Sequence, residues 1–471
     1  MQIPATPIDV DVVIVGAGLS GLRATVEIHK AGFSCAVLEA TNHVGGKTLS
    51  VRGSPGVGCG AEGWVDLGAA WINDTTQREM YGLARQFGFE LIEQRCVGSR
   101  LRQTKDGTVL AHLLGSRKET EDPEVLRLYA MVDRLTKTWL GPDKLPLDMV
   151  TFKALVEANC HGQEAMAAAN LLTGAFLGVE ADEVSALCVI EHVKSCTGLE
   201  NMASETLNGV QHLRVRQGAQ AFASRLADLI TQNSLHLSSP VTKITRSADT
   251  CVTETATGGM FNSKKVIVSI PTIMYHTITF SPPLPGAKQI LGESTINGYQ
   301  TKVALVFSTP WWREAGLSGA MESTKGPIAF TRENCSEQDK LYSIECFIVG
   351  EEGRKWSKPA AEERQTKVWE HFVEVFGGEV GSPAIPRPVR IIEKGWTTVP
   401  VMPPGGITSA SGQALCAPVG NIHFVGAETA DVWRGHMEGA VRSGIRGARE
   451  VIPLLRATQR RPWAQYLRSL L

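Results

Sequence analysis

No stretch of this 471-residue chain is apolar for long enough to cross a bilayer as a helix, which takes about 20 residues. Neither sign of charge is in excess. The 47 Lys and Arg against 48 Asp and Glu leave a formal net charge of −1, so there is no electrostatic case for nucleic acid or an anionic membrane as partner. MQIPATPIDVD carries no basic region ahead of its first apolar run, and no secretory leader is expected. The ten cysteines (Cys35, Cys59, Cys96, Cys160, Cys188, Cys196, Cys251, Cys335, Cys346 and Cys416) include no CxxC pair, and several sit in apolar runs. There a free thiol behaves as a small hydrophobe, so a reducing compartment is expected rather than a disulfide framework. The 11 histidines show no metal-ligand spacing, so no metal site is expected. Internal repeats and low-complexity tracts are missing too. What remains is an ordinary globular composition, 43% hydrophobic and 20% charged, with the mass of roughly two to four domains.

The most informative stretch is Val12–Gly21, VVIVGAGLSG. A β-branched run meets Gly16, Gly18 and Gly21. A helical pattern follows from Leu22 to about Ala31, then a second apolar run, Ser34–Leu38, ends at Glu39. Strand, glycine turn, helix, strand and acid in this order form a dinucleotide-binding unit. Gly16 makes the tight turn, Gly18 lets backbone approach a pyrophosphate, and Gly21 lets the helix pack on the sheet. The free N–H groups and positive dipole end of the helix face the phosphates. Glu39 stands where an acid grips a ribose hydroxyl. Further on, Val44-Gly45-Gly46-Lys47-Thr48 brings a second backbone turn and a cation toward the same diphosphate. Asp66-Leu67-Gly68-Ala69-Ala70-Trp71 places small residues before an aromatic, as a tight passage beside a planar ligand requires.

GAGLSG, Glu39, VGGKT and DLGAAWI together resemble the flavin-containing amine oxidases, the monoamine and polyamine oxidase group, and look closest to soluble, fungal-type monoamine oxidases. Later segments agree in order. Pro240-Val241-Thr242-Lys243-Ile244 resembles the strand whose valine touches the adenine. His423–Thr429, HFVGAET, and Trp433–Ala440, WRGHMEGA, resemble the closing flavin motif. The resemblance implies an α/β fold with a Rossmann-type FAD-binding domain and a discontinuous α+β substrate domain. The FAD domain would use 1–78, 208–288 and 388–455, the substrate domain 79–207 and 289–387, with a tail helix over 456–471. FAD would be held at Gly16, Gly18, Ser20, Gly21, Glu39, Ala40, Gly46, Lys47, Thr48, Gly68, Ala69, Ala70, Trp71, Val241, Gly426, Ala427, Glu428, His436, Met437 and Ala440.

Local patterning fits this plan. Residues 79–138 and 150–200 read mainly helical, for example Glu164–Leu177 and Glu183–Ser195. Residues 298–308 and 340–350 alternate as strands, and 359–376 reads as a helix. Pro282-Pro283-Leu284-Pro285 and Pro383–Pro388 punctuate the chain near the proposed crossings. The arginines, aromatics and leucines of the tail (Arg456, Arg460, Arg461, Arg468, Trp463, Tyr466, Leu467, Leu470, Leu471) suit a short helix packed on the body or a partner, rather than a surface-binding amphipathic helix. No membrane anchor is expected, Ser-Leu-Leu does not match the Ser-Lys-Leu peroxisomal signal, and a cytoplasmic protein is expected.

Three residues carry the expected chemistry. Lys302 is a cation inside an apolar, β-rich stretch, costly to bury unless paired or hydrogen-bonded; the resemblance places it beside flavin N5 through a water. Trp396 resembles the tryptophan flanking the isoalloxazine. His436 opens a small-residue helix (Gly439, Ala440, Ser443, Gly444, Gly447, Ala448) whose N-terminus would stabilise charge developing on the flavin. Two departures stand out. After Trp396 the chain reads Thr397-Thr398-Val399-Pro400-Val401-Met402-Pro403-Pro404-Gly405, without the cysteine that attaches FAD in many monoamine oxidases, so FAD is expected to be non-covalent. The same segment lacks a tyrosine, and His436 stands where an aromatic usually precedes MEGA, so both walls of the aromatic cage are changed. Lys47 replaces a common arginine, keeping charge but not bidentate contacts, and Thr41 stands where an arginine is frequent. Phe176, Met202, Ala203 and Gln211 match cavity and gate positions. Ala203 in place of a bulky gate suggests a wider channel.

The expected activity is FAD-dependent oxidation of a bulky or long-chain primary amine to an imine, hydrolysed to aldehyde or ketone plus ammonia, with O2 reduced to H2O2. The alternative is a flavin oxidocyclase or desaturase of secondary metabolism on the same scaffold. A homodimer is expected, with the amine and O2 as small-molecule partners.

Overall fold

The computed structural model describes residues 6–53, 63–113, 121–138, 145–377, 385–397 and 400–469, with the side chains of 410, 411 and 459–469 outside that description. Cys59, Pro383, Thr398, Val399 and the side chains of the arginine- and aromatic-rich tail therefore lie outside the described residues. The chain forms two compact units, one of Met1–Lys47, Gln220–Ser294 and Ser409–Leu471, the other of Thr48–Ala219 and Thr295–Thr408.

The first unit is α/β. Val12, Val13 and Ile14 are fully buried in the strand Ile8–Val15, the continuous apolar pattern of a parallel strand covered on both faces. This strand pairs in parallel with Cys35–Leu38 on one side and Met260–Val268 on the other. Leu235–His236 extends the sheet beyond Cys35–Leu38, and Ile422–Phe424 pairs with Met260–Val268, both in parallel. An antiparallel arm continues through Cys251–Thr255 to Val241–Arg246. The helix expected from Leu22 begins at Leu19 and runs to Lys30, with Gly18 as N-cap.

Beside it lies the long helix Met437–Ser469, into which the expected tail helix merges without a break. The small residues of this helix have a steric purpose. A Cβ on Gly444 would stand 2.3 Å from the Ser20 carbonyl oxygen and 3.1 Å from Arg23 Cβ. Gly21 is equally constrained, since a Cβ there would meet the Gly16 carbonyl at 2.1 Å.

The second unit is built on a seven-stranded sheet in the order Arg390–Thr397, Tyr299–Phe307, Tyr342–Val349, Phe330–Glu333, Leu317–Ser323, Ser99–Gln103, Val109–His112. One core carries Phe307, Trp311 and Trp312 against Phe372 and Phe376 of the helix Ala361–Phe376. The helices Gln163–Leu177 and Ala186–Ser195 lie close to expectation. The second starts at Ala186 rather than Glu183 because Ser185 caps it, its hydroxyl accepting from Cys188 N. The helical reading of 79–138 is corrected in its middle. Arg78–Gln86 and Pro123–Thr138 are helices, but Leu91–Glu93, Ser99–Gln103 and Val109–His112 are short strands. The first two are completed by partners distant in sequence, Leu213–Val215 and Leu317–Ser323, so tertiary pairing overrides local propensity; the third pairs with the second as a hairpin.

Gly444→Ala should destabilise the protein by about 1–3 kcal/mol, the usual cost of overpacking. Chemical denaturation measures it, and an unchanged midpoint would mean that the helix shifts away from Ser20 at no cost.

Candidate active site

In the first unit the glycine turn is formed as the sequence demands. Gly16 has φ +101°, and a Cβ there would meet Ser269 Oγ at 2.9 Å. Gly18 and Gly45 form a parallel bridge, with Gly45 N donating to Ala17 O at 3.0 Å. Gly46 has φ +58° and lies 3.5 Å from Gly18 Cα, measured from its own would-be Cβ. The VGGKT turn thus packs directly on the first glycine turn. Nothing lies within 4 Å of a Cβ built on Gly18, and the helix it caps has no acid in its first turn. Open space in front of an unopposed helix N-terminus fits an anionic diphosphate.

Glu39 is 9% exposed. Its Oε2 accepts from Ala17 N at 2.8 Å, and its Oε1 accepts from Thr41 N and Thr41 Oγ1 at 2.9 and 2.8 Å. Thr41, which stands where an arginine is frequent, is thereby an orienter of the acid. Ala40 is exposed beside it, and Val241 is buried at the start of its strand.

The closing motif is tied to the same turn. Gly426 N donates to Ser443 Oγ at 3.1 Å, and Ser443 Oγ meets Ser20 Oγ at 3.3 Å. Ala427 opens a short 3-10 turn and its carbonyl accepts from Gly435 N. Glu428 is buried and accepts from Thr272 N. Burial raises its carboxyl, opposed by Lys47, and burial lowers the Lys47 ammonium, opposed by Glu428. His436 is half-buried, edge-on to Trp433 at 5.3 Å, with Nδ1 donating to Arg434 O at 3.0 Å. Burial lowers its pKa and favours the neutral ring. Met437 is buried and Ala440 half-buried in the first turn of the helix that follows.

The second unit brings Lys302, Trp396 and the DLGAAW segment together. Lys302 is 5% exposed in the strand Tyr299–Phe307. Its Nζ donates to Glu345 Oε2 at 2.9 Å and to Asp66 O at 3.0 Å. The ammonium also lies over the rings of Trp71 and Phe347, 4.8 and 5.0 Å from their centroids, a geometry in which ring quadrupoles attract a cation. Trp396 is half-buried in the strand Arg390–Thr397, and its Nε1 donates to Leu67 O at 2.6 Å. One loop, Asp66 to Trp71, therefore receives Lys302 at its first residue and under its last ring, and Trp396 at its second residue. Gly68, Ala69 and Ala70 lie between these anchors, and Thr48 is buried upstream. The Asp66 carboxyl is pushed up to about 6 by burial, against hydrogen bonds from Ser50 and Ala219 N and the charge of Lys302.

Beyond Lys302 an aromatic panel continues. Phe347 stacks on Phe330 at 4.3 Å, with Trp71, Val349, Leu171 and Ala175 in the same cluster. Phe176 is half-buried next to Ala175, and Gln211 is half-buried with its Oε1 accepting from Arg332 Nε at 3.2 Å. Met202 is fully buried and Ala203 exposed at the end of the helix Leu199–Ala203.

Glu345 was not singled out from the sequence. Its signal was available: one acid inside the buried run Ile344–Val349 of a strand that also faces a buried lysine.

Against known proteins, residues 19–452 match the family model for the flavin containing amine oxidoreductases. The chain belongs to that family. Flavin is accordingly its cofactor, and the glycine turn with Glu39 fits the dinucleotide form, FAD. This amine oxidase is 30% identical over 462 residues to amine oxidase B of Sus scrofa, covering 94% of this chain and 86% of the relative. It is 29% identical over 458 residues to a probable flavin-containing monoamine oxidase A of Dictyostelium discoideum, covering 94% and 97%. Among solved structures, a wild-type putrescine oxidase with putrescine bound superposes with TM-score 0.85 at 25% identity, over 95% of this chain and 100% of the other. Cyclohexylamine oxidase from Brevibacterium oxydans gives 0.85 at 26%, with the same coverage. Among the described residues, no helix of this amine oxidase is long and apolar enough to cross a membrane, and the nine described cysteines are free thiols.

Two outcomes are expected. Acid or heat precipitation should release the flavin into the supernatant, because the segment Thr397–Gly405 after Trp396 holds no cysteine; yellow colour retained by the precipitate would show a covalent bond. Glu39→Ala should weaken FAD binding about tenfold or more, since a charge-assisted bond contributes about 1.5–3 kcal/mol. Titration of the apoprotein with FAD tests this, and an unaltered dissociation constant would remove Glu39 as the ribose ligand.

Proposed function

We propose that this amine oxidase binds FAD non-covalently and oxidises a bulky or long-chain primary amine to an imine, which water hydrolyses to aldehyde or ketone and ammonia, while O2 becomes H2O2. The observation that carries the reading is the buried Lys302 ammonium, held over two aromatic rings and bonded to the loop that also receives Trp396. Bound flavin supplies the two-electron chemistry between the carbon bearing the amine and O2.

The chain's own residues divide the remaining work. Glu39, the Gly16–Gly18 turn and Gly45-Gly46 grip the dinucleotide. Trp71, Phe347 and Phe330 offer flat apolar surface that excludes water from the substrate carbon and favours the uncharged amine. Lys302 sets a fixed positive charge where oxygen takes up electrons, and such charge is most effective in a dry site. The breadth assigned to the substrate rests on the missing cage aromatics: no tyrosine in Thr397–Gly405 after Trp396, His436 before Met437, and a small Ala203 at the gate position. A homodimer belongs to the same proposal.

An anaerobic panel of amines, followed by loss of the oxidised-flavin absorbance band and by ammonia and peroxide assays, tests the reaction. Bleaching without ammonia, or with a new C–C bond or double bond in the product, would move the chain to oxidocyclase or desaturase chemistry. Lys302→Met should slow reoxidation by O2 about tenfold or more, with amine-driven reduction changed less. Because Glu345 then loses its counter-ion, melting temperature and flavin content are read alongside. If stopped-flow traces show intact reoxidation and collapsed reduction, Lys302 acts on the amine instead.

A further inference from the structure

Lys302 does not reach its place alone. Glu345 is 1% exposed, two residues along its strand from Phe347, the register partner of Lys302, so the acid and the lysine sit diagonally on one face of the pair. Its Oε2 takes the ammonium at 2.9 Å, and its Oε1 accepts from Asn334 Nδ2 at 2.7 Å. Asn334 Oδ1 in turn accepts from Arg214 Nη1, and Arg214 Nη2 donates to Cys335 O at 2.8 Å. Arg214 is the register partner of Trp71 in a small antiparallel sheet, and Trp71 is the ring beneath the Lys302 ammonium. The chain of contacts Lys302–Glu345–Asn334–Arg214–Trp71 returns to Lys302. Every member lies within the second compact unit.

We propose that Glu345 is the positioning residue for Lys302: oriented by Asn334 and Arg214, its carboxylate fixes the ammonium against Asp66 O and the Trp71 ring, and so sets the rate at which the reduced enzyme reacts with O2. The inference rests on the role given to Lys302 above. Two lone-pair directions of one carboxylate are committed, one to the cation and one to Asn334, so the acid cannot swing away. An amide in its place would still accept from the ammonium, but it removes the opposite charge that the buried cation is paired with, and its NH2 would face the Asn334 Nδ2 donor.

The test uses Glu345→Gln, Asn334→Ala, Lys302→Met and the Glu345→Gln/Lys302→Met double variant of the full chain. In the apoproteins, melting temperatures should show coupling: the double variant loses less than the two single losses added together. In the flavin-loaded enzymes, Glu345→Gln should slow reoxidation about tenfold, with reduction by amine within about twofold, and should add nothing once Lys302 is Met. Asn334→Ala, which leaves both charges in place, should slow the same step by less, and it keeps the proposal open to refutation where Glu345→Gln folds poorly. Reoxidation at the parent rate in Glu345→Gln, with Lys302→Met slow, overturns the positioning role alone. Additive melting losses overturn it as well. Parent-rate reoxidation in Lys302→Met overturns the role of the lysine itself.

Discussion

A buried ammonium against a buried carboxylate organises the second unit of this amine oxidase. Two charges removed from water are stable only when the geometry is good and the remaining donors and acceptors are satisfied. Both conditions are met at Lys302 and Glu345. The lysine spends its hydrogens on a carboxylate and a main-chain carbonyl and its remaining face on two rings; the acid spends its second oxygen on Asn334. The pairing ties two neighbouring strands to the Asp66–Trp71 loop and sets the ammonium over the rings of Trp71 and Phe347, while the Arg332 guanidinium lies 5.3 Å from the centroid of the Phe330 ring.

The first unit solves a different problem, that of bringing backbone close to a polyanion. It does so by omission. Side chains are missing at Gly16, Gly18 and Gly46, acids are missing from the first helical turn, and Gly444 lets the long helix rest on the backbone of Ser20. The Ser20–Ser443–Gly426 contacts then carry the position of this turn to the closing motif, so residues more than 400 positions apart share one hydroxyl-mediated link.

Much of this was legible in the chain. The βαβ unit, its glycines, its acid and the later motifs were readable because each rests on local geometry that only certain residues permit. Lys302 was legible as an anomaly, a cation in an apolar strand, but its partner was not, since the diagonal between Lys302 and Glu345, 43 residues apart, exists only once their strands are in register. Leu91–Glu93 and Ser99–Gln103 escaped for the same reason: their completing partners lie far downstream. Thr41 read as a lost arginine; the fold shows it bracing Glu39 by two hydrogen bonds.

The closed course of contacts through Trp71, Arg214, Lys302, Asn334 and Glu345 also limits how this chain can vary. Its members come from separate segments, yet none can change alone without stranding a charge or a donor in a dry interior. Substitutions there are coupled rather than additive. A relative that lacks the acid should therefore differ at several of the other positions at once, whereas the walls formed by Leu171, Ala175 and Val349 are free to change one residue at a time. On the roles proposed for these residues, substrate range could drift in small steps, whereas the reaction with oxygen would change only by a concerted exchange.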